Sequence, residues 1–354
     1  MSALCPHCGE AVNETDQFCE SCGQPLGATE SLAARATESD AESERGTQLL
    51  TPPGAEKAIA PTCSCGGAID EDGFCTLCGL RAPSERDHFT EQPAPNIAAT
   101  CDKGIVHRRN EDAVALGING DRLVAVVCDG VTNATDSDKV SLAAARAARD
   151  VLQSAAPAAD GDAAEHWRAQ AVAAATAAQD AAMAAAREAQ IARVENPPAC
   201  TYVTAVVDDG LLSASWIGDS RAYWFGDDGA ALQLSVDDSW ATAEIANGVD
   251  RAIAEADSRA HSITRWLGPD SPGGDPGFMT TTPSAPGWVF VCSDGLWNYC
   301  SEAHDLRTLV YEHLAAAEND PLRTSGTLVD WANAQGGHDN ITVALARAFA
   351  SDKE

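Results

Sequence analysis

Leu123-Val124-Ala125-Val126-Val127-Cys128-Asp129-Gly130 is the stretch on which the fold of this 354-residue chain turns. Its apolar run is short and rich in valine, so it reads as a buried strand rather than a helix. It stops at Asp-Gly, where glycine lets the backbone turn sharply beside a carboxylate. Trp288–Cys292 (WVFVC) repeats the pattern and ends in Ser293-Asp294-Gly295. Gly337-His338-Asp339-Asn340 reverses it, with the apolar run Ile341–Ala346 following the aspartate. Tyr202–Val207 and Leu211–Ile217 flank Asp208-Asp209-Gly210, a hairpin signal, and Arg221–Phe225 and Ala231–Leu234 flank a second, Asp227-Asp228-Gly229. Helical stretches are expected at about Ser141–Gln153 and Ala163–Val194, and again at Ala303–Ala317 and Pro321–Ala334. Antiparallel strand signals with helices inserted in pairs indicate an α+β sandwich rather than alternating βαβ units.

Upstream of this region the composition changes. Cys5, Cys8, Cys19 and Cys22 follow Cys-x2-Cys-x10-Cys-x2-Cys spacing, and Cys63, Cys65, Cys75 and Cys78 form a second quartet with a tighter first half. Glycine follows each half, as in a metal knuckle where backbone N–H groups turn toward the sulfurs. Four thiolates suit tetrahedral zinc, whose binding supplies folding energy that such short modules lack. Rubredoxin-like iron or redox disulfides are the alternatives. The spans read as a zinc ribbon over 1–23, a flexible linker over 24–61, a second ribbon over 62–80, a linker over 81–96 and one large domain over 97–350. The first linker is rich in Ala, Thr, Ser, Glu and Pro and cannot bury a core. Thr47 and Thr51-Pro52 within it offer sites for a kinase, to be read by a phosphothreonine-binding domain.

The formal net charge of −30 argues against a nucleic-acid groove and against an anionic membrane surface. The N-terminus lacks the basic start and apolar run of a signal peptide, and no window offers a membrane span. A cytoplasmic location is expected, where the 13 cysteines serve as thiols or metal ligands.

Asp129, Asp294 and Asp339 each sit at a strand end. Any one of them taken alone reads more readily as a turn residue, but hard cations such as magnesium or manganese take carboxylate and carbonyl oxygens. Six motifs in order then resemble the type 2C, metal-dependent protein serine/threonine phosphatases. They are Cys101–Asp112 (CDKGIVHRRNED), Cys128-Asp129-Gly130-Val131, Gly218-Asp219-Ser220-Arg221, Ser262-Ile263-Thr264-Arg265, Cys292-Ser293-Asp294-Gly295 and Gly337–Val343 (GHDNITV). The resemblance covers Thr100 to Val343 and implies an antiparallel β-sandwich flanked by helix pairs. It implies that Asp129 bridges two Mn²⁺ or Mg²⁺ ions, that the Gly130 carbonyl completes one, and that Asp294 and Asp339 hold the other. Glu111 and Asp112 are expected to orient waters, and Asp219 to help bind a third ion. The resemblance further implies that a hydroxide between the metals attacks phosphorus in line, and that the enzyme acts on phosphorylated proteins and so opposes a cytoplasmic serine/threonine kinase.

The chain departs from the family at the phosphate clamp. His107 stands where many relatives carry arginine, and Arg108 and Arg109 follow as substitutes or as solvated surface charges. Val131 replaces the histidine of eukaryotic members, and Asp238-Ser239 stands where many relatives have His-Ser. Other phosphatase chemistries fit less well. Only Cys75 to Arg81 has Cys-x5-Arg spacing, and Cys75 already belongs to a quartet. Asp136-Ser137-Asp138-Lys139-Val140 has aspartyl-phosphate lettering without a strand before it. A second reading, a catalytically weak adaptor or sensor working through its zinc ribbons, stays open at this point.

Overall fold

The run at 123–128 is apolar on both faces because both faces are covered. The structure is a computed structural model describing residues 3–4, 11–12, 63, 65–70, 73–131, 136–158, 162–189 and 196–349. The chain divides into two units, Met1–Pro83 and Ser84–Glu354. In the first unit a two-residue ladder joins β1 (Ala3–Leu4) to β2 (Ala11–Val12). Cys5, Cys8, Cys19 and Cys22 lie outside the described residues. The second quartet is described, and its backbone is tied by isolated bridges Ile69↔Cys75 and Phe74↔Arg81.

The second unit opens on a single 3-10 turn, Glu85–Asp87, followed by β3 (His88–Ala94), β4 (Ile97–Asp102), β5 (Ala113–Asn119) and β6 (Arg122–Cys128). Helices α1 (Ser137–Ser154) and α2 (Ala163–Glu188) come next, then β7 (Tyr202–Asp208), β8 (Leu211–Ile217), β9 (Arg221–Gly226) and β10 (Ala231–Gln233). Short helices α3 (Trp240–Ala246) and α4 (Arg251–Glu255) precede β11 (Gly277–Thr281) and β12 (Gly287–Cys292). One helical turn, α5 (Asp294–Trp297), leads to α6 (Ala303–Ala316), α7 (Pro321–Gln335) and β13 (Ile341–Ala348).

The strands form two antiparallel sheets, ordered β10-β9-β12-β13-β4-β3 and β11-β8-β7-β6-β5. Strand β6 shows how they stack. Leu123, Ala125 and Val127 join the core between the sheets, with Val289 and Val291 of β12 and Ala344 of β13. The alternate residues Val124, Val126 and Cys128 join a second core under α1 and α2. A third core packs β9, β12 and β13 against α6 and α7, centred on Phe225, Phe290, Leu306 and Leu328. Period-two alternation between two dry faces gives an unbroken apolar run. The expected α+β sandwich with flanking helix pairs is therefore observed.

The linker expected over 81–96 is corrected by the structure. His88–Ala94 forms an edge strand paired to β4, with a register shift between Glu91 and Ala94. Charged, alternately exposed residues and Pro93 gave it the look of a linker, but edge strands carry such residues because one side pairs with nothing. The β7–β8 hairpin closes on Asp209 and Gly210, whose φ of 44° and 80° match the turn read from Asp-Asp-Gly.

Candidate metal centre

Antiparallel pairing brings the functional strand ends to one edge of the sandwich. Ala113 pairs with Cys128, so Asp112 just before β5 and Asp129 just after β6 share an end of one sheet. Cys292 pairs with Val343, so Asp294 just after β12 and Asp339 just before β13 share an end of the other. The turns are close-fitting: a Cβ on Gly130 would lie 2.5 Å from the Glu111 carbonyl oxygen, and Gly295 is held equally tightly against the Asn340 carbonyl. Only glycine leaves room for these backbones.

Each carboxylate has a defined setting. Asp129 is fixed through its backbone, whose N–H donates to Thr201 Oγ1 at 3.0 Å and whose carbonyl accepts from Thr201 N at 2.8 Å. Asp112 is fully buried, and its Oδ2 accepts from Ser293 Oγ at 2.8 Å and Thr342 Oγ1 at 2.7 Å. Asp294 Oδ2 accepts from Asn298 Nδ2 at 3.1 Å. Asp339 Oδ1 accepts from its neighbour Asn340 N at 2.7 Å and faces His107 Nε2 at 3.4 Å. Asp219 is buried in the short β8–β9 connection.

These groups repel one another. Burial, then the charges of Asp112, Asp294, Asp339 and Asp219, raise the Asp129 carboxyl well above the usual range. Burial and Asp339 push Asp294 up to about 6. Burial raises Asp112 to about 7 against the hydrogen bonds from Thr342 and Ser293. Burial also raises Glu111 to about 8, with Arg109 pulling the other way. Asp219 reaches about 8 through burial, Asp294 and Asp237. Bound cations reverse this logic by stabilising the ionised form. The buried Oδ1 atoms of Asp112 and Asp294 have no hydrogen-bond partner, so acceptor capacity is left over where cations would sit. An all-oxygen donor set of this kind suits magnesium or manganese.

Three sequence candidates for the phosphate clamp part company. His107 lies at the carboxylates. Arg108 is exposed. Arg109 turns toward Asp136 at 3.6 Å and Asp138 at 3.8 Å. Several residues that build the site drew no role in the sequence reading. Ser293, Thr342 and Thr201 anchor Asp112 and Asp129. Asn340 Oδ1 accepts from Glu111 N at 2.7 Å, while its Nδ2 donates to Lys103 O at 2.8 Å and Arg109 O at 3.0 Å. The signal was their place beside strand-end aspartates, but which hydroxyl meets which carboxylate depends on register.

The cysteine unit is a second, separate centre. The Sγ atoms of Cys63, Cys65, Cys75 and Cys78 all lie within 4.8 Å of one another. Neighbouring sulfurs are 3.3 to 3.5 Å apart, too far for a disulfide and near the ~3.8 Å expected around tetrahedral zinc. Gly67 permits this packing, because a Cβ there would collide with Cys75 Sγ.

A two-sheet sandwich with outer helix pairs and strand-end carboxylates defines a metal-dependent phosphatase class, and the protein phosphatase 2C family profile matches residues 105–331. The chain belongs to that family and is a serine/threonine protein phosphatase. A zinc-ribbon domain profile matches residues 4–26, which contain the first cysteine quartet. Among solved structures, the serine/threonine phosphatase PstP/Ppp of Mycobacterium tuberculosis is 23% identical with a TM-score of 0.56, covering 71% of this chain and 97% of that one. Stp1 of Staphylococcus aureus is 19% identical with a TM-score of 0.57, covering 74% and 98%. A PstP catalytic domain in complex with two manganese ions is 25% identical with a TM-score of 0.54, covering 71% and 96%. No curated protein matches the chain. Among the described residues no helix is long and apolar enough to cross a membrane.

Proposed function

We propose that the Ser84–Glu354 unit removes phosphate from phosphoserine and phosphothreonine in proteins using two divalent cations held by Asp129, the Gly130 carbonyl, Asp294 and Asp339. The carrying observation is the convergence of these carboxylates at one edge, where Asp129 and Asp294 are raised by burial and by neighbouring charge and the buried Oδ1 atoms of Asp112 and Asp294 have no hydrogen-bond partner. Manganese or magnesium bound there supplies Lewis acidity and an activated water for in-line attack on phosphorus. Asp112, gripped by Ser293 and Thr342, and Glu111, gripped through its backbone by Asn340, hold the surrounding water network in place. Asp219 sits close enough to Asp294 to raise its own pKa, which supports a share in a third ion. His107 is the clamp candidate directed at the basin, and Arg108 and Arg109 serve the approach to it.

The reaction consumes what a serine/threonine kinase makes, so such a kinase must act in the same compartment, here taken as the cytoplasm. The two cysteine quartets are read as one zinc site each, serving recruitment. The test is manganese-dependent hydrolysis of p-nitrophenyl phosphate and a phosphothreonine peptide by the full chain and by Asp294→Ala. Wild type should turn over both substrates and the variant neither. A wild type no faster than the variant would overturn the reading.

A further inference from the structure

The turn Ser84–Asp87 lies in the stretch that reads as linker, yet its hydrogen bonds reach both ends of the loop 103–112. Ser84 closes the turn, accepting from Arg86 N at 3.2 Å and donating its own N–H to Asp87 Oδ2 at 3.0 Å. Asp87 O accepts from Lys103 N at 2.8 Å, at the start of the loop. Arg86 O accepts from Asn110 Nδ2 at 2.9 Å, and Arg86 Nη2 donates to Asp112 O at 2.7 Å, at its end. Asn110 Oδ1 in turn accepts from Asp112 N at 3.2 Å. The guanidinium also sits 5.6 Å from the Phe89 ring centre, so the edge strand limits its movement. Between the two ends the loop carries His107, Arg108 and Arg109, and it finishes in Glu111 and Asp112.

Asn340 grips the same loop from the opposite side through Lys103, Arg109 and Glu111. The peptide planes that aim Glu111 and Asp112 are thus held between a side chain at the start of β13, on one flank of β4, and the turn that leads into β3, on its other flank. Asp112 is buried, and its carbonyl accepts the Arg86 guanidinium at 2.7 Å, a charge-assisted bond that is lost with Arg86. We propose that Arg86 is a positioning residue for the phosphatase reaction, fixing the Asn110–Asp112 backbone so that both acids face the metals. The inference rests on the proposed two-cation reaction.

The full-length chain is tested as Arg86→Ala and Arg86→Lys. Arg86 Nε is buried and makes no hydrogen bond, so lysine can replace the one donor that reaches Asp112. Arg86→Ala should weaken Mn²⁺ binding, measured by calorimetry, and lower kcat on p-nitrophenyl phosphate, each by about tenfold with KM nearly unchanged. Arg86→Lys should restore both to within about threefold. Mn²⁺ binding needs no turnover, so it reports on Arg86 even if wild type is inactive and the proposed reaction fails. A purely structural role would lower the melting midpoint of Arg86→Ala while leaving Mn²⁺ affinity and kcat as in wild type. That result, or a lysine variant as impaired as alanine, would overturn the proposal.

Discussion

The carboxylate basin and the cysteine unit prepare for metal in opposite ways. In the cysteine unit, local backbone N–H groups draw two ligands toward the charged form. Cys75 is lowered to about 6, chiefly by the N–H of Cys78, and Cys63 is lowered by the N–H of Cys65. Cys65 rises to about 12 despite the Gly67 N–H, because it shares its proton with the thiols around it. In the basin, burial and crowding push Asp129, Asp294, Asp112, Glu111 and Asp219 upward. One site holds two of its four ligands, Cys63 and Cys75, ready for metal while Cys65 and Cys78 are raised, whereas the other stores repulsion that metal relieves. The backbones differ accordingly. The basin stands on two sheets and three cores, so the fold holds the site; the described residues of the cysteine unit are joined by isolated bridges and short turn hydrogen bonds, so the site must hold the fold.

The largest effects should separate these two dependencies. Cys75→Ser should remove zinc from the second module and the hydrogen-exchange protection of residues 63–81, since structural zinc contributes about 10–16 kcal/mol to such folds. Turnover of p-nitrophenyl phosphate should stay within about twofold of wild type. Asp129→Asn should do the reverse. Activity should fall by about 10³-fold, the loss of several kcal/mol of charge stabilisation, with circular dichroism unchanged. If Cys75→Ser abolishes small-substrate turnover, the two centres are not independent.

A second effect follows from the direction of the basin's shifts. Asp294, Asp112, Glu111 and Asp219 sit at about 6, 7, 8 and 8, against ordinary values near 4. The folded, chelated protein therefore binds more protons than the unfolded chain across this window, and its stability should fall as pH rises from about 4 to 8. Saturating Mn²⁺ removes that penalty by holding the acids ionised. The increase in Tm on adding Mn²⁺ should be larger at pH 8 than at pH 6. Equal increases at both would show that the repulsion is not what the metal relieves.

The same contrast explains how much was legible in the sequence. The three aspartates, the hairpin at Asp209-Gly210 and the four long helices could be read because each rests on local signals: a strand that stops, a turn residue, a helical period. The edge strand His88–Ala94 could not, because its only partner is β4 and its composition is that of a surface. The role of Asn340 was hidden because it rests on distant pairing. Asn340 binds Lys103 and Glu111 across more than two hundred residues, a contact that only the pairing of β13 with β4 creates. Asp112 was named from its motif, but its anchoring by Ser293 and Thr342 again depends on register. Thr342→Val tests that anchor. It leaves one of two hydroxyl donors to a buried carboxylate and should cost about 1–3 kcal/mol of stability and about tenfold in kcat. A loss confined to stability would mark Asp112 as a core residue only.

The smallest effect concerns the clamp, where the basin meets solvent. Arg109 is 42% exposed and its partners Asp136 and Asp138 stand 3.6 and 3.8 Å away, a loose surface pairing. Such pairs contribute about 0–1 kcal/mol, so Arg109→Ala should change kcat/KM for a phosphopeptide by less than about threefold. His107 is only 19% exposed and faces Asp339, so His107→Ala should raise KM for the same peptide by several times more than Arg109→Ala does. His107→Arg would place a permanently charged fork beside the basin and should lower KM below that of wild type. The three variants form an ordered series in KM. If Arg109→Ala sits above His107→Ala in that series, phosphate approaches along the Asp136 side, and the clamp belongs to the arginine that the static ion pairs appoint to the surface.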